Sequence, residues 1–186
     1  MGVAIRSLDA AQAPAWDAFV RGHADGTFFH LAAWRQVIER GFGHRTHYLF
    51  AERDGTVAGI LPLAQVKTRL FGNALVSVPF CVYGGPLAAD AETAAALAAH
   101  AAGLMRSLQV PVLEFRSREP QPWLDEAEWP ARSDLYVTFR KSFTGDDDAN
   151  LKAIPRKQRA MVRKGIDRGL TSVIDADPRR LFRIYA

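Results

Sequence analysis

Thr46-His47-Tyr48-Leu49-Phe50-Ala51-Glu52-Arg53, then Asp54-Gly55, then Thr56-Val57-Ala58-Gly59-Ile60-Leu61-Pro62-Leu63-Ala64-Gln65-Val66, is a pair of apolar runs joined by Asp-Gly. That dipeptide favours a two-residue hairpin turn, because both turn positions need positive φ. Glycine takes positive φ without a steric cost and aspartate tolerates it. An antiparallel pair over Thr46–Arg53 and Thr56–Val66 is therefore predicted.

Toward the N-terminus, Val3–Ser7 reads as a short strand. Asp9 reads as the N-cap of a helix carrying Trp16, Phe19 and Val20 up to Gly22. A second helix is predicted over Leu31–Arg40, with Trp34, Val37 and Ile38 on one face and Gly41 as its stop. Toward the C-terminus, the strand Ala74–Pro79 leads into Tyr83-Gly84-Gly85-Pro86. Ala91–Leu108 is a helix with a Leu97, Leu104, Met105, Leu108 stripe and alanine at close-packed positions. Val110–Arg116 follows as a strand predicted to be central, given Val112, Leu113 and Phe115.

A Pro- and Trp-containing connection leads to a strand over Leu135–Phe143, and a short helix capped by Thr144 follows, with Asp146 to Asp148 behind it. Pro155 fits the first turn of a basic helix that stops at Gly169, ahead of a last strand over Leu170–Ile174. Asp177-Pro178 then opens a helix carrying Phe182, Ile184 and Tyr185, which runs out at Ala186 with no stop signal. This order gives an α/β mixed-sheet layout. It fits a GNAT-like N-acyltransferase fold, with a largely antiparallel central sheet flanked by helices, better than a doubly wound one.

The 186 residues are 48% hydrophobic and 24% charged, as in an ordinary globular protein, and the net charge is +4. Ten basic and three acidic residues between Lys152 and Arg183 give +7 and leave −3 elsewhere. The basic character therefore belongs to the C-terminal segment. One cysteine, Cys81, excludes an intrachain disulfide and a cysteine-based zinc cluster, and a cytoplasmic setting is expected. No apolar run reaches the ~18 residues of a membrane span, and the N-terminus has no signal-peptide pattern.

The basic helix is the sharpest candidate interface. At 100° per residue, Arg156, Lys157, Arg159, Arg163, Lys164 and Arg168 share one half of the wheel, while Met161, Val162 and Ile166 lie on the other. One reading is a solvated charged face; the other is phosphate contact along a polyanion. No aromatic is interleaved on the basic face, so backbone contact would be the mode for a nucleic acid.

Phe29-His30-Leu31 with Trp34-Arg35, Gly59-Ile60-Leu61-Pro62-Leu63, Phe71-Gly72, and Val78-Pro79-Phe80 with Tyr83-Gly84-Gly85-Pro86 resemble the N-terminal half of FemAB-like proteins, and the Arg156–Leu170 helix is similar to that family's basic helix. The likeness is greatest to the FemAB-related proteins of exosortase/PEP-CTERM systems and covers nearly the whole chain. It implies two tandem GNAT-like domains. Residues 1–175 would be the first, and 176–186 would begin the connection to a second that is missing from this chain. The activity implied is transfer of an aminoacyl or acyl group to an amine of a peptidoglycan or exopolysaccharide precursor. Aminoacyl-tRNA or acyl-CoA would be co-substrate, with no covalently bound cofactor, and the isolated first domain is expected to be inactive.

His30, Trp34, Arg35, Tyr83, Gly84 and Gly85 are the candidate acceptor-side residues. Arg156, Lys157, Arg159, Arg163 and Lys164 are the candidate phosphate or polyanion contacts, with tRNA as one partner. For His30 a polar contact at a helix start is the blander expectation, and for the glycines a turn that needs positive φ. The Arg/Gln-x-x-Gly-x-Gly/Ala signature of acetyl-CoA-using GNATs is missing, which counts against an ordinary single-domain acetyltransferase. That activity and a non-catalytic polyanion-binding module stand as alternatives. His30, His44 and His47 have no metal-site spacing, and no metal is expected. Glu114 is expected to be partly buried, either as a base or paired with Arg116, and Cys81 to be a packing residue.

Overall fold

The computed structural model describes residues 2–68, 72–125 and 127–185. Phe71, part of the family likeness, and Ala186, at the end of the last helix, lie outside the described residues. The chain forms two compact units, Met1–Leu135 and Tyr136–Ala186.

In the first unit, β1 (Ala4–Ser7), β2 (Arg45–Arg53), β3 (Thr56–Thr68), β4 (Gly72–Ser77) and β6 (Val112–Glu114) lie side by side in that order, and the two-residue β5 (Leu87–Ala88) pairs with β3. All pairs are antiparallel except β4 with β6. The hairpin turn is as predicted, with Asp54 at φ 51° and Gly55 at φ 75°. Strand alternation divides the core. Leu49, Ala51, Leu61 and Leu63 face α3 (Ala91–Ser107) through Leu97 and Ala101. Tyr48, Phe50 and Ile60 face α1 (Ala13–Gly22) through Trp16 and Val20. The sheet is thus the middle layer of three.

Several expectations are corrected. Asp9 does not cap α1: its carboxylate accepts the Ala11 and Gln12 amides in a turn ahead of the helix, which starts at Ala13. The helix expected over Leu31–Arg40 starts later, at Trp34, after a 3₁₀ turn (Phe28–His30), and runs without a break from α2 (Trp34–Gln36) into a π-helical turn (Val37–Gly41) that ends at Gly41 as expected. Side chains of α1 take backbone groups here, Trp16 Nε1 donating to the His30 carbonyl at 2.7 Å and Asp17 accepting the Ala32 amide at 2.8 Å. The strand expected over Val110–Arg116 shrinks to β6, and it lies at the edge of the sheet with Val112 48% exposed.

Pro62 decides how β4 ends. It sits in the middle of β3, and its carbonyl accepts from Val78 N at 3.2 Å. In a strand, N–H and C=O of one residue point to the same neighbour, so proline removes the donor on the β4 side. Beyond Ser77 the chain leaves the sheet and rejoins β3 only at β5, opposite Ile60 and Gly59. Residues 78–86 form the intervening loop. Val78 (φ 46°) and Phe80 (φ 67°) are held there in the left-handed region, a costly conformation for a β-branched and a bulky residue.

The loop is tied down by glycines that need close approach, not positive φ. Gly84 N and Gly85 N both donate to the Arg116 carbonyl, at 3.0 and 3.1 Å, and Arg116 N donates to Ser77 Oγ at 2.8 Å. A Cβ on Gly84 would lie 2.5 Å from Val78 Cγ2 and 2.8 Å from the Ser77 carbonyl.

In the second unit, α4 (Asp147–Lys152) is capped by Asp146, which accepts the Asp148 and Ala149 amides. Thr144, expected as the cap, is instead bound to the Asn150 side chain. In α5 (Arg156–Asp167), Pro155 is the N-cap. The helix stops at Gly169 as predicted: Gly169 N bonds to the Ile166 carbonyl and Leu170 N to that of Gly165, with Gly169 at φ 69°. The last helix, α6 (Arg179–Tyr185), follows Pro178.

The strands expected over Leu135–Phe143 and Leu170–Ile174 do not form, because no ladder partner lies alongside them among the described residues. No described residue from Tyr136 to Tyr185 is buried. Met161, Val162 and Ile166, expected to dock α5 by one face, are exposed.

Replacing Gly84 by Ala should destabilise the protein by about 1–3 kcal/mol through overpacking, read as a lowered urea midpoint at unchanged slope. An unchanged midpoint would show that the loop does not approach Val78 so closely.

Candidate functional site

The loop, the start of α3 and the segment after β6 enclose a cleft of about 250 Å³ in the first unit. Tyr83, Gly84 and Gly85 line it as expected, but the two glycine amides are spent on Arg116 and are not presented to a ligand. His23, Asp25, Arg118 and Trp123 line it too, and sequence reading did not single these out as cleft residues. Asp25 and Arg118 pair at 3.2 Å across 93 positions of chain, a juxtaposition no local pattern signals. Trp123 is oriented by its Nε1–H donating to Gln121 Oε1 at 3.0 Å.

His30 reaches the cleft wall but is structural. It is 2% exposed; Nδ1 accepts from Thr27 N at 3.2 Å, which leaves Nε2–H to donate to the Gly85 carbonyl at 3.2 Å. Burial pushes its imidazole down to about 4. The ring is therefore neutral with both nitrogens engaged, matching the helix-start polar contact. His23 is used similarly, with Nδ1 accepting from Asp25 N and Nε2 against the Ala88 carbonyl.

Trp34 and Arg35 lie outside the cleft. Arg35 Nε donates to Glu39 at 2.9 Å and to Thr46 Oγ1 at 3.1 Å, and Nη1 to the Leu8 carbonyl at 3.2 Å. Trp34 packs edge-on against Phe28 and Phe29. Glu114, expected to be partly buried, has its side chain 46% exposed and is paired with Arg116 Nε at 2.6 Å. Edge placement of β6 explains that correction. Burial raises the Cys81 thiol, so it is not activated, in line with a packing role. No group of three or more His, Cys, Asp or Glu residues that could hold a metal occurs among the described residues.

At the cleft's end, α3 begins with Asp90 as N-cap, accepting the Thr93 amide at 2.8 Å. Arg53 clamps the same carboxylate at 2.6 Å, and Glu92 lies in the first turn. Arg53 holds the Asp90 carboxyl well below the usual carboxylate range. In the second unit, Arg156, Arg159, Arg163 and Lys164 line a shallow groove on α5 with Asp167. Among the described residues, none of the α5 cations has a carboxylate within ion-pair distance.

With this geometry in view, solved structures provide the comparison. A ribosomal-protein-alanine N-acetyltransferase from Brucella melitensis biovar Abortus 2308 is 16% identical over 77% of this chain and 100% of its own, with a TM-score of 0.50. AAC(6')-Iy, in complex with the bisubstrate analogue CoA-S-monomethyl-acetylneamine, is 13% identical over 77% of this chain and 100% of its own, at 0.51. The fold is that of the GNAT acetyltransferases. FemX also matches, 19% identical over 56% of this chain and only 24% of its own, at a TM-score of 0.42. No family model and no curated protein matches the chain. No described helix is long and apolar enough to cross a membrane.

The lowered His30 value has a pH consequence. The unfolded state, with an ordinary histidine value of about 6.5, takes up a proton that the folded state refuses. Stability is complete above about pH 6.5 and falls as the pH drops toward 4. At pH 5 the loss should be about 2 kcal/mol, measurable by urea unfolding and flattened in His30→Gln. An equal loss in the variant would assign the effect to other groups.

Proposed function

We propose that this chain is a domain of a FemAB-like transferase that moves an aminoacyl or acyl group to an amine of a cell-envelope precursor, peptidoglycan or exopolysaccharide, on the cytoplasmic side. In this reading the domain supplies the acceptor wall rather than the donor site. The observation that carries it is the start of α3. A pyrophosphate sits at a helix N-terminus only where amides are open and the field is positive. Here Asp90 occupies the end of the helix, Glu92 adds a second carboxylate, and Arg53 is consumed in neutralising them. Together with the Gly84 and Gly85 amides closed on Arg116, the residues present do not fit a coenzyme A pyrophosphate at this helix.

The cleft suits an acceptor. Asp25 and Glu119 share the single cation of Arg118, which leaves one net negative charge for an ammonium group, and Tyr83 and Trp123 give walls. Neither His23 nor His30 has a free ring nitrogen to serve as base. Catalysis is therefore assigned to positioning the amine for direct attack on an activated ester. Tandem organisation is part of the proposal. The unburied apolar residues between Tyr136 and Tyr185 need cover from another folded surface, and a second GNAT-like domain would provide it. The cations of α5, which have no carboxylate partner among the described residues, then serve a phosphate of the precursor or of tRNA.

An acyl-CoA-dependent N-acetyltransferase is the second reading, favoured by the fold shared with a neighbour that binds a coenzyme A bisubstrate analogue. Calorimetric titration separates the two. The first predicts no acetyl-CoA heat at millimolar ligand and measurable binding of a nucleotide-linked muramyl peptide, weakened about tenfold by Asp25→Asn or by Glu substitution at Arg156, Arg159 and Arg163. Micromolar acetyl-CoA binding would overturn it.

A further inference from the structure

The face formed by the π-helical turn and the loop after β4 carries exposed aromatic rings that the proposed reaction does not use. Phe80 is 56% exposed and Phe42 49% exposed, with their rings stacked at 4.3 Å; the His44 ring lies parallel to Phe80 at 5.7 Å. Val82, two residues on, is 60% exposed. Beneath this group Cys81 is buried beside Trp34, whose ring joins it to Phe28 and Phe29. The backbone is strained at this loop. Phe80 is turned outward at φ 67°, next to Val78 at 46°, although each conformation costs on the order of 1–3 kcal/mol. An exposed phenylalanine in a disfavoured conformation marks this loop as a candidate contact surface.

The charge next to these rings in sequence points to the partner. Arg40 and Arg45 flank Phe42 in sequence, both exposed, and neither has a carboxylate within ion-pair distance among the described residues. The one acidic residue in this stretch, Glu39, is neutralised by Arg35 and hydrogen-bonded to Thr46. From Val78 to Ala89 there is no acidic residue. An exposed apolar tip with two exposed cations within three residues of Phe42 in sequence is complementary to hydrocarbon beneath anionic headgroups. Single-stranded nucleic acid fits less well, since bases need free aromatic faces and the Phe80 ring is already stacked against its neighbours.

We infer that Phe42, Phe80 and Val82 form a wedge that seats the first unit on the surface of an anionic lipid bilayer, with Arg40 and Arg45 on the headgroups. The inference does not depend on the proposed transfer reaction. A domain seated in this way would meet its acceptor at the membrane.

Co-sedimentation of the full chain with phosphatidylcholine vesicles containing or lacking phosphatidylglycerol tests the wedge. Binding should require the anionic lipid and weaken with salt. It should fall at least roughly tenfold in Phe80→Asn and in Phe42→Ser. Asparagine tolerates positive φ, so Phe80→Asn should fold at least as stably as the parent, which separates lost binding from lost structure. Absence of binding to anionic vesicles would overturn the inference. So would binding left intact by Phe80→Asn but abolished by charge reversal at Arg156, Arg159 and Arg163, which would move it to α5. A Phe80-dependent affinity for an oligonucleotide without any for vesicles would replace the lipid with nucleic acid.

Discussion

Pro62 has no N–H to give, and it stands in the middle of the most buried strand of the sheet. That one missing donor faces β4 at the rung where the chain reaches Val78, so the ladder stops there. The nine-residue excursion, the two left-handed residues within it and the return at β5 all follow. So does the need for an internal fastener. The Arg116 carbonyl accepts both loop glycine amides, while Arg116 N–H binds Ser77, and β4, β6 and the loop become one piece. The cleft keeps its shape because the loop that lines it is fastened to Arg116 and, through it, to Ser77.

Electrostatics at the neighbouring helix act in the same direction. The α3 N-terminus would be the natural place for an anion, but Asp90 caps it and Arg53 is paired to Asp90 rather than left for a ligand. The fold is that of enzymes that transfer acetyl groups, whereas the local chemistry at this strand-loop-helix junction is unlike a phosphate cradle. Fold and site therefore point to different conclusions. The chemistry of the site carries more weight for function.

Legibility in the sequence followed the range of the interactions. The Asp54-Gly55 hairpin, the alanine-rich α3 and the Gly169 stop are set by residues within a few positions of one another, and each formed where expected. The reason Gly84 and Gly85 are needed was not readable, because Val78 and Arg116 reach them through the fold. The Leu31–Arg40 helix forms only from Trp34, because Trp16 and Asp17 of α1 take backbone groups of His30 and Ala32 ahead of it, and its second half is π-helical. Leu135–Phe143 and Leu170–Ile174 have strand composition without a neighbouring strand, and composition cannot create a ladder. Asp90 before Ala91, with Thr93 beyond it, was a visible capping signal that was not used. The Asp25–Arg118 pair across the cleft gave no such signal.

The sealed loop can be tested by amide hydrogen exchange at Gly84, Gly85 and Thr93, with and without saturating acetyl-CoA. All three amides donate to protein acceptors, so they should exchange as slowly as the buried rungs of β3 and be unaffected by the coenzyme. Fast exchange at the two glycines, or protection that appears only when acetyl-CoA is added, would contradict the account.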